Sequence, residues 1–202
     1  SCTGNHSLHA VGTARAIKKF KGDEISLYSG GESACSEGYF YEAVNGACTE
    51  KLPVIFVIQN NKFGISVPVR EQTANERISD NFIGFRHLLI VNCDGRDPFD
   101  SYRALRKAAD YVLSGAGPAM VHADCDRIGS HSNSDNQELY RSKEEIASVK
   151  ERDPLPRFRS LLIEGGFMSE AEVVALEEEN LRLMYEAADI AEAAPDPDPA
   201  SY

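Results

Sequence analysis

Two hydrophobic periods alternate along this chain. Apolar residues recur at helical spacing from Leu8 to Phe20, and Glu24 to Ser29 then reads as a strand ending at Gly30-Gly31. Phe40, Ala43, Val44, Ala47 and Cys48 fall at i, i+3, i+4, i+7 and i+8, which is one face of a helix. Pro53 to Gln59 is a continuous apolar run of strand length, the pattern of a central parallel strand buried on both faces, and Asn60-Asn61 stops it. A second round places strands at Leu88 to Asn92 and Ala119 to Ala123. Between them Leu105, Ala108, Ala109, Val112 and Leu113 form a helix face, punctuated by Gly115 and Gly117. This alternation predicts an α/β fold, a mostly parallel sheet flanked by helices.

From Arg127 to Asn136 the chain turns polar and offers no face to pack, so a long loop is expected there, held by hydrogen bonds and charge and mobile until a ligand and partner order it. Helices follow. Ser142 with Glu145, and Ser169 with Glu172, have the spacing of capping boxes, and the last helix keeps an acidic surface until Pro195. Pro195 to Pro199 reads as an extended linker. The expected division is therefore an α/β domain over 1–142, C-terminal helices over 143–194 and a tail over 195–202. The opening Ser1-Cys2-Thr3-Gly4 has neither Met nor a signal segment, so the chain is read as part of a longer one.

Charge and cysteines narrow the function classes. With 32 acidic and 21 basic residues the formal charge is −11, and no stripe of Lys and Arg is present to displace counterions from a nucleic acid. The longest apolar stretch, Leu52 to Ile58, is far short of the roughly 20 residues that cross a bilayer, so neither nucleic acid nor membrane is expected as a partner. Five cysteines without a C-x-x-C pair point away from a disulfide framework and a cysteine zinc site, and toward a reducing compartment.

In an open parallel sheet, ligands bind where the strands end at their carboxyl side. Two such ends carry informative residues: Gly30-Gly31-Glu32-Ser33-Ala34, and Asn60-Asn61-Lys62-Phe63. Glu32 and Asn61 stand 29 positions apart, separated by one helix and one strand, so both side chains reach the same sheet edge. A carboxylate with an amide oxygen makes half of a hard, oxygen-only site, which Mg²⁺ completes with water and phosphate oxygens. On its own, a Gly-Gly turn followed by a Glu is as well read as an ordinary tight turn at a helix start.

Longer stretches resemble a known family. Gly31-Glu32-Ser33-Ala34-Cys35-Ser36-Glu37-Gly38, then Phe40-Tyr41-Glu42-Ala43-Val44-Asn45, then the run from Leu52 to Asn60-Asn61 resemble the thiamin-diphosphate fingerprint of the alpha subunits of 2-oxo acid dehydrogenases. That fingerprint is G-D-G or G-E-G followed at this distance by N-N. The resemblance continues through Ile65-Ser66-Val67-Pro68, Arg127 to Asp135 and Tyr140-Arg141-Ser142, and covers nearly the whole chain. The Glu in the metal position and the Arg127-Ile128-Gly129-Ser130-His131-Ser132 wording are closer to the branched-chain (2-oxoisovalerate) members than to the pyruvate members.

The resemblance implies the thiamin-diphosphate-binding fold, thiamin diphosphate and Mg²⁺ as cofactors, and oxidative decarboxylation of a 2-oxo acid with acyl transfer to a lipoyl group. Glu32 and Asn61 would hold Mg²⁺ by side chains and Phe63 by its carbonyl. Gly31 and Ala34 would approach the diphosphate, Ile65 would support the bent cofactor, Arg127 would pair with diphosphate oxygens, and His131 would face the reacting end as the catalytic residue. Implied partners are a beta subunit, separate or fused, which supplies the carboxylate that activates the cofactor, and a lipoyl-bearing acyltransferase. Implied location is the bacterial cytoplasm, or the mitochondrial matrix in a eukaryote, where Ser132 would occupy a phosphorylated position. Three departures stand out: Ser33 replaces the last Gly of the fingerprint, Gln59 an Arg, and Ser130 a His. The front third of the family's subunit is absent. The expectation is that Ser33 restricts the backbone near the phosphates. Pyruvate or acetoin dehydrogenase, or a non-catalytic assembly module that has lost its cofactor, are the alternatives.

Overall fold

In the computed structural model, which describes residues 2–201, four parallel strands form the sheet that the pattern predicts. In chain order the elements are α1 (His6–Phe20), β1 (Ser26–Gly31), α2 (Gly38–Glu50), β2 (Val54–Asn60), a small ladder of β3 (Phe63–Gly64) with β4 (Val67–Pro68), α3 (Val69–Gln72), β5 (Leu89–Asp94), α4 (Pro98–Leu113), β6 (Ala119–Asp124), α5 (Lys143–Glu151), α6 (Pro154–Glu164) and α7 (Glu170–Ala193). The strand order is β1-β2-β6-β5. The sheet therefore reverses its winding between β2 and β6, with Asn60 beside Asp124 at the carboxyl edge. Such a switch point opens a crevice outside the strand ends.

Each face has its own core. On one, α1 and α2 cover β1 and β2, and Tyr28, Phe40, Phe56 and Phe82 form an aromatic cluster that is fully buried. Phe40 sits edge-on to Phe56 and Phe82, with ring centroids 5.7 and 5.6 Å away. Truncating Phe40 to Ala would remove the hub, at about 3–5 kcal/mol for a buried Phe. All five residues of the expected α2 face are buried there. On the other face α4 lies over β5 and β6.

The face of α4 differs from the expected one. Ala104, Ala108 and Val112 are buried, whereas Leu105 and Leu113 are 38% and 57% exposed. Spacing by four places a narrow stripe of small side chains against the sheet, and alanines let the helix approach closely enough that the flanking leucines stay outside. Its start matches the chemistry: Asp97 accepts the N–H groups of Phe99 and Asp100, and Pro98 occupies the first turn.

The chain forms two compact units that meet between Pro154 and Leu155. Helix α5 belongs to the first, where Arg152 just beyond it bonds Asp126. Ser142 caps α5 by accepting the Glu145 N–H, but the Glu145 carboxylate turns to Arg141, so only half of that capping box forms. In the second unit the Ser169–Glu172 box is complete, and Arg159 joins α6 to α7 through Glu170 and Glu177. Beyond α7, Ala194 is extended and Pro199–Ser201 form a single 3-10 turn. Among the described residues, no helix is long and apolar enough to cross a membrane.

Candidate functional site

A groove of about 570 Å³ opens at the carboxyl ends of β1 and β2. Gly31, Ala34, Asn61, Phe63, Ile65 and His131 all line it, so six of the eight expected site residues meet on one surface although they span a hundred positions of sequence. The parallel register explains the convergence. Gly31 is paired with Gln59, and the two loops leave neighbouring strands in the same direction. Glu32 lies below the wall, 1% exposed, and Arg127 stands beside it.

Glu32 is a buried carboxylate that is only half satisfied. Its Oε2 accepts the Asn61 backbone N–H at 3.1 Å, while Oε1 is buried and has no partner. Burial pushes its carboxyl above the ordinary carboxylate range, against the lowering effect of its backbone hydrogen bonds and of the Lys62 and Arg127 charges. A buried oxygen without a donor marks a place where a cation fits. Asn61 Oδ1 accepts the Phe63 N–H at 3.1 Å and keeps a second lone pair. No group of three or more His, Cys, Asp and Glu among the described residues could hold a metal alone. An ion here would take carboxylate, amide and carbonyl oxygens from the chain and the remainder from phosphate and water, the preference of Mg²⁺. The residues fit that ion.

The loop after β2 is bent by unusual backbone. Lys62 and Ile65 both have left-handed φ, 74° and 57°, and for a β-branched residue such a value is strained. Ile65 opens the two-residue turn between β3 and β4, and its side chain is 53% exposed at the groove. Strain spent on holding an apolar side chain in the open suits a support for a bound ring. Beneath, at the switch point, Lys62 pairs with Asp124, and buried His122 contacts the Asn60 amide at 3.3 Å. Desolvation pushes the His122 imidazole below the ordinary histidine range, which favours its neutral form.

The polar loop from Arg127 carries its own network and needs no added ligand for it. Arg127 donates to the Ile65 carbonyl at 2.8 Å and to the Tyr140 hydroxyl at 2.6 Å, and Tyr140 in turn donates to Asp135, which also accepts the His131 N–H at 2.8 Å. Arg141, only 3% exposed, donates to the carbonyls of Arg127 and Gln137 and to Glu145, with its guanidinium over the Phe63 ring. Arg127, which the resemblance pairs with diphosphate oxygens, thus has partners within the chain as well. Its Nε alone is buried and unpaired. Tyr140 and Arg141 had no role assigned from sequence, because no periodicity links them to Arg127 and only the family wording pointed to that stretch. Ser132 is exposed, with its Oγ 3.1 Å from that of Ser134.

Ser33 does not behave as expected. Its φ and ψ are −68° and −34°, ordinary right-handed backbone, so replacing Gly there imposes no conformational penalty. The requirement for glycine has moved to Gly64, where a Cβ would stand 2.8 Å from the Ser33 side chain.

Comparison with known proteins establishes the family. The chain is 37% identical over 187 residues to the 2-oxoisovalerate dehydrogenase subunit alpha of Bacillus subtilis, covering 93% of this chain and 56% of that protein. It is 37% identical over 179 residues to the pyruvate dehydrogenase E1 component subunit alpha of Acholeplasma laidlawii (88% and 52%), and 36% identical over 167 residues to the 3-methyl-2-oxobutanoate dehydrogenase subunit alpha of Mycobacterium tuberculosis (83% and 45%). The chain spans about half the length of these curated relatives. With residues 2–200 also matching the family model of the dehydrogenase E1 component, this chain belongs to that family.

Proposed function

We propose that this chain is the cofactor-binding part of the alpha subunit of a thiamin-diphosphate-dependent 2-oxo acid dehydrogenase, acting on a branched-chain 2-oxo acid. The observation that carries the reading is the buried, half-unpaired Glu32 carboxylate bonded to Asn61 beneath a groove that His131 also lines. When bound, thiamin diphosphate supplies the electron sink for decarboxylation. The chain's own residues do the rest of the holding. Glu32, Asn61 and the Phe63 carbonyl would bind Mg²⁺, and Gly31 and Ala34 keep the wall low enough for the diphosphate. Ile65 supports the rings. Arg127, held in place by Ile65 and Tyr140, has N–H donors left for phosphate oxygens. His131, whose backbone N–H ties its loop to Asp135, lines the groove, where its ring would steady negative charge or move a proton.

Among the described residues lining the groove, His131 and Glu37 are the groups able to transfer a proton, and the carboxylate that activates the cofactor would come from a beta subunit. A lipoyl-bearing acyltransferase would receive the acyl group. The bacterial relatives favour the cytoplasm. The branched-chain assignment rests on Glu32 and the Arg127 to Ser132 wording, with pyruvate and acetoin as the competing substrates. A non-catalytic module gains no support from Ser33, whose backbone is ordinary. Calorimetric titration with thiamin diphosphate and Mg²⁺, followed by turnover of the assembled enzyme on 2-oxoisovalerate, pyruvate and acetoin, is the test. Absence of binding would overturn the reading, and preference for pyruvate would overturn the substrate.

A further inference from the structure

The hydroxyl of half-buried Ser33 is free. It makes no capping bond to the turn it precedes, and no hydrogen bond to any described residue occupies it. It lines the groove together with Gly31, Ala34, Asn61 and Gly64. The space it stands in exists because Gly64 has no side chain: a Cβ built there would lie 2.8 Å from both Cβ and Oγ of Ser33, closer than real contacts allow. Gly64 is otherwise an unexpected choice, since it belongs to a two-residue strand and the left-handed positions on either side are filled by Lys62 and Ile65, not by glycine. Its role is steric.

We infer that Ser33 is an additional binding residue of the cofactor site, its Oγ–H donating to a diphosphate oxygen, with Gly64 kept small to hold that hydroxyl in the groove. The inference rests on the proposed thiamin-diphosphate reading and adds to it a side-chain donor at a position the fingerprint reserves for glycine. A hydroxyl donating to an ionised phosphate forms a stronger bond than one between neutral groups. It faces an anion that the backbone amides of Gly31 and Ala34 would otherwise meet without help from their own side chains.

The test is calorimetric titration of thiamin diphosphate, in the presence of Mg²⁺, into the assembled enzyme carrying Ser33→Ala, Gly64→Ala or Ser33→Gly with Gly64→Ala. Ser33→Ala should weaken binding about tenfold or more, the usual loss for a hydrogen bond to a charged group. Gly64→Ala should weaken it similarly by displacing the hydroxyl, and the double variant should be no worse than Ser33→Ala, because contacting residues are not additive. Wild-type affinity in Ser33→Ala, or losses that multiply in the double variant, would overturn the inference while leaving the cofactor reading intact. No binding by the wild-type enzyme would overturn both.

Discussion

Arg141→Met tests the account of how the polar loop is held. Arg141 carries three donated bonds of 2.8 Å, to the Arg127 carbonyl, the Gln137 side-chain carbonyl and Glu145, and its own side chain is almost wholly buried. Methionine preserves the length and apolar stem but removes every donor. The Glu145 pair counts for little, because that carboxylate is 42% exposed and can be hydrated. The two carbonyls are the larger loss, at about 1.5–3 kcal/mol for each hydrogen bond to a charged group, partly offset because the guanidinium no longer has to be desolvated. A net destabilisation of about 2–4 kcal/mol follows. At about 2–4 °C per kcal/mol for a domain of this size, the melting temperature should fall by roughly 4–16 °C. Thermal melts followed by circular dichroism measure it, with Arg152→Met as the comparison, since Arg152 is itself 42% exposed in its pair with Asp126 and its loss should cost less than about 1 kcal/mol. If the two variants melted together, the loop would not depend on Arg141 and the network would be decoration.

Glu32→Gln should abolish Mg²⁺-dependent binding of thiamin diphosphate, as followed by calorimetry, and wild-type affinity in the variant would remove Glu32 from the metal site. The direction of its pKa adds a pH dependence. Burial lifts the folded-state value above that of the unfolded chain, so metal affinity should be full above the raised value and fall as pH drops through it. The metal-free fold has the opposite slope, losing stability as pH rises from about 4.5, the ordinary Glu value, toward the raised one. Affinity and stability that were both flat from pH 4.5 to 8 would contradict this. His131→Ala should lower turnover of the assembled enzyme about 10²- to 10⁴-fold with cofactor affinity nearly unchanged, and equal losses in both would make the residue structural. The purified 202-residue chain should show no decarboxylation without a beta subunit, so CO₂ release from a 2-oxo acid by the chain alone would refute the division of labour.

The order and type of the sheet elements were legible in the sequence because they follow from local periodicity. The apolar run from Pro53 to Gln59 and the five-residue face of α2 are burial patterns written within a dozen residues; the α2 face is buried as read, and the strand buries Val54, Ile55, Phe56 and Ile58, though it leaves Gln59 exposed and runs on through a buried Asn60. The pairing of Glu32 with Asn61 was legible too, since one crossover unit must bring successive strand ends to the same edge. What the sequence could not show is which of two nearly equal choices packing would take. On α4 both Leu105 and Ala104 suit a helix face, and only contact with the sheet selected the alanine stripe. At Ser33 a substitution that reads as a restriction sits on ordinary backbone, and the need for glycine is a steric one at Gly64, 31 positions away, because a Cβ there would lie 2.8 Å from the Ser33 side chain once β1 and β2 have paired. The loop from Arg127 to Arg141 contains almost nothing apolar, so its order depends on hydrogen bonds among side chains whose partners no periodicity encodes. Burial is a property each residue carries into the fold, whereas a hydrogen-bond partner or a missing Cβ has meaning only once distant strands stand side by side.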